Sequence, residues 1–546
     1  MKMTTFAKKL TMKKLTYILM SLLLFSCAQH GHDDQNLRIF KYNEAAGILT
    51  LDPIYAKDQP HIWACNQLYN SLVAFDDEMN IVPSVAKKWN ISEDGKTYTF
   101  ILRDDVYFHA DSCFGGKGRR VVAGDIEYSF NRLVDRKLSS PGVWIFSSVR
   151  QDDDGYAFKA VNDSVFQIEL KDCFPAFLGI LSMTYVSVVP REAVEYYGDD
   201  FGRHPVGTGP FKFQYWKEGV RLVFRKNPDY FEVINGKRLP YIDAVSIGFL
   251  IDKQVAFMEF VQGKTDFMSG IDARYKDELL TRDGRLRSKY KDDFYLIREP
   301  YLNTEYLSFN IDTQEEKDNK ERAVALRKAV NYSIDREKML RYLRNGIGTP
   351  GNGGIIPVGL PGYDSLGTAG YRYDQQKAFE IIEKYNLSGM EIKLYTTKEY
   401  MDLAKFVQSA VTDVGLVCKV EEMMPAAMRE KRAKCSLPFF RSSWVADYPD
   451  AENYLSLFTT GNFAPDGPNY THYSNEEFDR LYDEAVATTD TRRRAEIYHE
   501  MDSLMMTESP VVILFYDEVL RFVNKKVSNF NGNPVNLLNL KTLEIN

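Results

Sequence analysis

Two lysines, Lys13 and Lys14, introduce an apolar run of eleven residues, Leu15 to Phe25, which then stops at Ser26. A bilayer span needs ~20 apolar residues, so this run is too short to cross one and matches the core of a signal peptide. The segment constrains everything after it: the remaining chain has to fold in water, outside the cytosol. No run of about 20 apolar residues occurs anywhere, which excludes a polytopic membrane protein. At 546 residues the chain exceeds what one core organises, ~250–300 residues, so two or three lobes are expected. A 44% apolar content excludes disorder as the main state. The leader, residues 1–26, holds five lysines and no acid, which leaves 64 bases against 76 acids in the rest. An acidic body argues against nucleic acid as a partner.

The leader ends Leu24-Phe25-Ser26-Cys27. A small residue directly before a cysteine at this point resembles the lipobox of bacterial lipoproteins. That resemblance implies cleavage before Cys27 and lipidation of its sulfur, with a stable anchor once two or three acyl chains are attached. An ordinary secretory signal with an incidental cysteine is the alternative. Met12 opens a compact signal by itself, and Ala28 to Asn36 reads as a polar tether. Five further cysteines remain: Cys65, Cys113, Cys173, Cys418 and Cys435. Five is odd, so at least one is unpaired or pairs between chains, and no spacing matches a zinc site; one disulfide within Cys65, Cys113 and Cys173 and one between Cys418 and Cys435 is one reading, buried free cysteine the other.

The patterning alternates strands and helices. Strands are expected at Leu37–Tyr42, Tyr98–Arg103, Val245–Phe249, Leu307–Asn310 and Val511–Phe515, with a strand-poor tail from Leu520. A hairpin is expected from Phe211–Trp216 to Val220–Phe224. Helical spacing marks Pro60–Leu72, Ala123–Leu133, Lys253–Val261 and Arg492–Met506, and predicts one long helix over Glu321–Leu343. Ser474 to Glu477 reads as a capping box. Strands at Ile392–Tyr395 and Leu416–Val420 bracket a helix at Asp402–Asp413, the order of a parallel α/β unit.

Enzyme motifs are missing. There is no G-x-S-x-G, no H-E-x-x-H and no phosphate loop. Gly346 to Gly351 matches G-x-G-x-x-G but follows a helix instead of a strand, and Pro357 and Pro361 forbid a helix after it. Asp152-Asp153-Asp154-Gly155 is a turn with no cation-ligand spacing after it. Neither a cofactor nor a metal is expected, and the chain reads as a non-enzyme.

Several segments taken together resemble the family 5 extracellular solute-binding proteins of ABC importers, the oligopeptide- and dipeptide-binding type. They are Leu51-Asp52-Pro53, Leu68 to Val73, Pro83 to Arg103, Asp125 to Phe130, Gly207 to Phe211, Leu307 to Asn310 and Arg327 to Arg336. Each is weak alone; their order and spacing carry the match from about residue 38 to 525. The insert Ser112 to Val121 departs from the family pattern. The resemblance implies an α/β fold, a periplasmic-binding-protein type II-like clamshell with two α/β lobes and an extra third lobe. Lobe I would comprise residues 28–56, 184–303 and 516–546, lobe II residues 57–183, and lobe III residues 304–515, with chain crossings near 303 and 516 as the hinge.

It also implies a ligand segment, Phe439 to Asp450. In peptide-binding relatives an Asp three after the Trp accepts the peptide's α-ammonium, which here is Asp447; an Arg three before the Trp meets a carboxylate, which here is Arg441. A buried ammonium needs a charged partner to offset desolvation. Were the segment extended, both side chains would share one face roughly 20 Å apart. Ser442, Ser443 and Trp444 are the candidates for backbone and wall contacts. The structural alternatives are a turn acid for Asp447, an ion pair for Arg441 and a core indole for Trp444. The implied function is a lipid-anchored, extracytoplasmic receptor of the periplasm or cell envelope. It would be monomeric, and would capture short peptides and deliver them to an ABC permease in the inner membrane. A nickel chelate, haem or oligosaccharide is the alternative ligand, and a secreted hydrolase using Asp447 and Asp450 is the reading from another class.

Overall fold

The computed structural model describes residues 37–153, 155–270 and 275–546. The expected signal segment, Cys27 and the tether lie outside them. Among the described residues, one mixed sheet of eleven strands runs through the molecule. Its path is Phe211–Lys217, Arg221–Lys226, Ala244–Gly248, Ile39–Asn43, Phe267–Ser269, Val511–Asn524, Phe294–Phe309, Phe439–Val445, Glu391–Thr396 and Val417–Glu422, with Thr349–Pro350 beside Val511–Asn524. Helices cover it, giving the expected α/β class and two halves of a clamshell. Val511–Asn524 and Phe294–Phe309 lie side by side at the middle of the path and belong to both halves. Their antiparallel pairing runs from Phe294 to Pro300 against Glu518 to Asn524, and from Thr304 to Ser308 against Val511 to Tyr516 with a register shift between Glu305 and Tyr306. Between Pro300 and Thr304 the register shifts as well. Proline has no amide to give a ladder, which suits it to such a break.

Each half has its own buried cluster. On one side Phe40, Tyr42, Trp63 and Phe267 pack at ring distances near 6 Å, from 5.8 to 6.3 Å. On the other, Leu307, Val330, Leu394, Val407 and Leu514 pack under the sheet, with Tyr306, Tyr454, Met501 and Ile513 as a second cluster. A separate four-stranded antiparallel sheet orders Ala86–Ile91, Thr97–Leu102, Val165–Glu169 and Phe158–Asn162. Helix Ala123–Val134 lies on it through Ile126, Phe130 and Leu133. The core of that unit is continuous with the Phe40–Trp63 cluster.

Two family motifs acquire physical reasons. A Cβ on Gly209 would stand 2.4 Å from the Leu68 carbonyl carbon, so only glycine lets these backbones meet. Arg336 is 2% exposed and spends its donors on oxygens of Ile513, Asn331 and Ile334 at 2.5–3.3 Å. It thereby locks a helix corner onto strand Val511–Asn524. Burial brings its pKa down to about 10, and those four acceptors hold it in place.

The structure corrects four local expectations. Helix Glu321–Leu343 is two helices, Lys320–Ser333 and Arg336–Arg344. Ile334 is extended and Asp335 caps the second helix, accepting from Lys338 N at 2.9 Å. The strand expected at Leu307–Asn310 begins thirteen residues earlier, at Phe294, and that at Val511–Phe515 continues to Asn524, through the expected strand-poor tail. The helix after Ser474 is capped by Asn475, which accepts from Glu477 N and Phe478 N, while Ser474 bonds Thr460 instead. In the Ser112–Val121 insert, Arg119 bridges Asp125 and Glu192 at 2.6–2.8 Å, tying the insert to two helices. The five described cysteines are all reduced.

Candidate functional site

Strand Phe439–Val445 pairs with Phe294–Phe309 in the register Leu307–Arg441, Tyr306–Ser442, Glu305–Ser443, Thr304–Trp444. Its other neighbour, Glu391–Thr396, meets it only at Phe440 among the described residues. Side chains alternate, so Arg441 and Ser443 share one face, and Ser442 and Trp444 the other.

Arg441 is spent inside the protein. Its guanidinium forms a two-point pair with Glu305, Nη2 to Oε2 at 2.5 Å, and lies 3.5 Å from the Tyr400 ring centroid. Burial would lower the Arg441 pKa, but the paired carboxylate outweighs it and holds the group above its ordinary value. Burial pushes Glu305 upward against the pull of Arg441. Ser442 is buried and accepts from Arg432 Nη1 at 3.4 Å, and Ser443 is half-buried. Trp444 packs on the Tyr306 cluster and donates from Nε1 to Asn453 Oδ1 at 2.8 Å.

The strand ends at Val445, so Asp447 sits on the loop beyond it and not on the extended face shared with Arg441. The same Asn453 Oδ1 accepts from Asp447 N at 3.1 Å, so one buried amide fixes both the indole and the loop. The next residue, Tyr448, is buried against Trp144 and Phe174 of the opposite half, with centroids 6.3 and 6.4 Å apart, and donates to buried Glu452. Asp450 accepts from Tyr498 at 2.7 Å and pairs with Arg494 at 3.3 Å. The two carboxylates considered for hydrolysis therefore differ: Asp450 holds the loop together, and Asp447 faces a cleft.

That cleft has a volume of about 410 Å³, within the ~300–1,000 Å³ of small-ligand sites. It lies between the halves. Trp63, Trp144 and Tyr185 form one wall, Val445 to Asp447 the other, and Tyr301 and Leu302, at the break in the central ladder, the floor. Asp447 is exposed into the cleft, and no cation among the described residues pairs with it. The concave wall desolvates its carboxylate and raises its pKa, with an Asn453 hydrogen bond opposing. Tyr185, across from it, has a phenol pushed up to about 12 by burial and by the charges of Asp58 and Asp447. Arg441, Ser442, Ser443 and Trp444 do not line this cleft. The opposite wall, with Lys57, Asp58, Trp144 and Tyr185, was missed in the sequence. Asp58-Gln59-Pro60 carried a readable helix-start signal there, as Asp58 caps helix Gln59–Leu68.

Known proteins fit this geometry. The family pattern for bacterial extracellular solute-binding proteins, family 5 Middle, matches residues 80–466. The glutathione-binding protein GsiB of Salmonella typhi is 25% identical over 491 residues, covering 88% of this chain and 89% of its own. The dipeptide-binding protein of Escherichia coli K12 is 25% identical over 487 residues, covering 86% and 87%. The solved structure of HbpA2 from Haemophilus parasuis superposes with a TM-score of 0.83 at 21% identity, covering 93% of this chain and 100% of that one. A chain-wide clamshell with a walled cleft at its middle and a family pattern spanning most of its length give one conclusion: the protein belongs to the family 5 bacterial extracellular solute-binding proteins, and it is a binding protein, not an enzyme.

Proposed function

We propose that this protein captures short peptides in the cleft between its halves and hands them to an ABC permease. Asp447 takes the peptide's α-ammonium. The observation that carries this is a carboxylate in a walled cleft with no internal cation among the described residues, although its neighbours Asp450 and Glu452 are fully engaged. An unpaired charge at a desolvated position costs stability, and a ligand cation removes that cost. The peptide-binding names of its relatives agree with this chemistry. Peptide backbone meets the chain at Val445 to Asp447, where the strand runs out into the cleft wall, which supplies affinity without side-chain selectivity. Lipidation at Cys27 tethers the protein to the membrane. The segment 57–183 forms the third lobe, and closure bends the chain at the ladder break near Pro300–Thr304.

Native mass spectrometry of the gently purified chain from residue 28 onward, beside Asp447→Ala, tests the assignment. Co-purified masses that fit short peptides and vanish in the variant are expected. A non-peptide mass retained by both proteins overturns it.

A further inference from the structure

Among the described residues, three charged side chains line the cleft: Lys57, Asp58 and Asp447. Asp58 is committed, since it accepts from the His61 ring and caps helix Gln59–Leu68 through His61 N at 3.4 Å. Asp447 has no cation partner among the described residues. Lys57 is the one cation on the cleft wall, and it is exposed with no acid paired to it among the described residues. The two uncommitted charges are therefore opposite in sign. They also stand on opposite halves. Lys57 follows the short turn Pro53–Tyr55, whose Ile54 and Ala56 belong to the Phe40–Trp63 core. Asp447 follows strand Phe439–Val445 of the other half.

Arg441, the residue the sequence offered for a ligand carboxylate, is closed off by Glu305 and is absent from the cleft wall. A second charged end of a ligand has to be met by something else. We propose that Lys57 binds the free α-carboxylate of the ligand, so that the cleft selects zwitterionic short peptides held by opposite ends on opposite halves. This rests on the peptide reading above and adds to it the carboxylate partner and the side from which it comes. A ligand with both ends charged draws Lys57 and Asp447 toward one another, so the same contacts that select it also favour the closed state. A peptide blocked at its C-terminus keeps the Asp447 contact and loses the one across the cleft.

The test is calorimetry on the purified protein with two matched pools of di- to tetrapeptides, one with free carboxylates and one with C-terminal amides. The variants are Lys57→Met, which keeps the length of the stem, and Lys57→Arg, which keeps the charge. The free-acid pool is expected to bind the native protein at least about tenfold more tightly than the amides. That ratio is expected to fall to near one in Lys57→Met and to return in Lys57→Arg. An unchanged ratio in Lys57→Met, or native protein that does not distinguish the pools, overturns the Lys57 assignment and leaves peptide capture standing. Binding of neither pool overturns both. Lys57 is exposed, and a matching thermal transition for Lys57→Met and native protein secures the comparison.

Discussion

Glu305 and Asp447 flank the same strand, and their environments differ in every respect that matters to a charge. Glu305 is 2% exposed, yet both its oxygens face the Arg441 guanidinium. Asp447 is exposed into a cleft and has no cation to face among the described residues. The first is a charge completed at folding; the second has no such partner among the described residues, which is what the proposed ligand contact rests on. Burial alone would have put the deeper acid forward as the ligand group. What separates them is whether a partner is already in place.

Breaking the completed pair has the largest expected effect. Glu305→Gln leaves a buried guanidinium with no counter-charge, and about 3 kcal/mol of stability should be lost in urea unfolding. Peptide affinity of the protein that remains folded should change little. The converse variant, Asp447→Asn, is expected to cost about 2–4 kcal/mol of peptide binding and to leave stability within ~0.5 kcal/mol. If Asp447→Asn unfolds the protein while Glu305→Gln is silent, the contrast is inverted.

Asp502 sharpens the comparison as an intermediate case. It is fully buried, accepts from Ile355 N at 2.8 Å and Ile356 N at 3.3 Å, and has no cation partner among the described residues. Burial raises its pKa from 3.8 to about 7, more than its two amide bonds can offset. The fold therefore binds this proton more tightly than the unfolded chain does. Its contribution is fully present below about pH 4 and is lost as pH rises toward 7. Denaturant midpoints of the native protein and Asp502→Asn, compared at pH 5 and pH 8, should draw apart by an amount on the order of 1–3 kcal/mol, with the native protein losing ground at the higher pH. Parallel curves would mean that the two amides keep the carboxylate ionised throughout.

The smallest effect is expected at Asn453, the amide that holds both Trp444 and the Asp447 loop. Asn453→Ala should cost about 1–2 kcal/mol of stability. It should also weaken peptide binding about tenfold, because the acid remains but its loop is no longer fixed. A stability loss with unchanged affinity would make Asn453 purely structural.

Local features were legible and distant ones were not. The hairpin Phe211–Lys226 and the unit Glu391–Glu422 announce themselves through turn residues and alternation within some 30 residues. The central strands did so only in part, at Leu307–Asn310 and Val511–Phe515. Phe294–Phe309 contains Pro300 and Asn303, which look like an interruption until the partner strand from the end of the chain supplies the continuity. The corner at Ile334 was hidden because apolar spacing runs on across it, although Asp335 carried an ordinary cap signal. Asp447 was named only through the family resemblance, as the Asp three after Trp444; its own sequence context reads as a turn. The capture of Arg441 by Glu305 was beyond reach, since the two residues are 136 positions apart and no local pattern joins them.

The interruption in the central ladder has a mechanical consequence. A hydrogen-bonded sheet resists flexing in proportion to the bonds that must stretch. Here the stretches Phe294–Pro300 and Thr304–Ser308 are stitched to Val511–Asn524, and among the described residues no pair joins 301–303 to that strand. In the closure proposed above, bending at this point breaks few bonds of this ladder, so little of a guest's free energy would go into deforming the host. Two strands crossing this point side by side, ~4.8 Å apart, also oppose twisting and sliding more than folding. The lapse in the ladder thus falls at the floor formed by Tyr301 and Leu302, where a bend would be felt first by whatever the cleft holds.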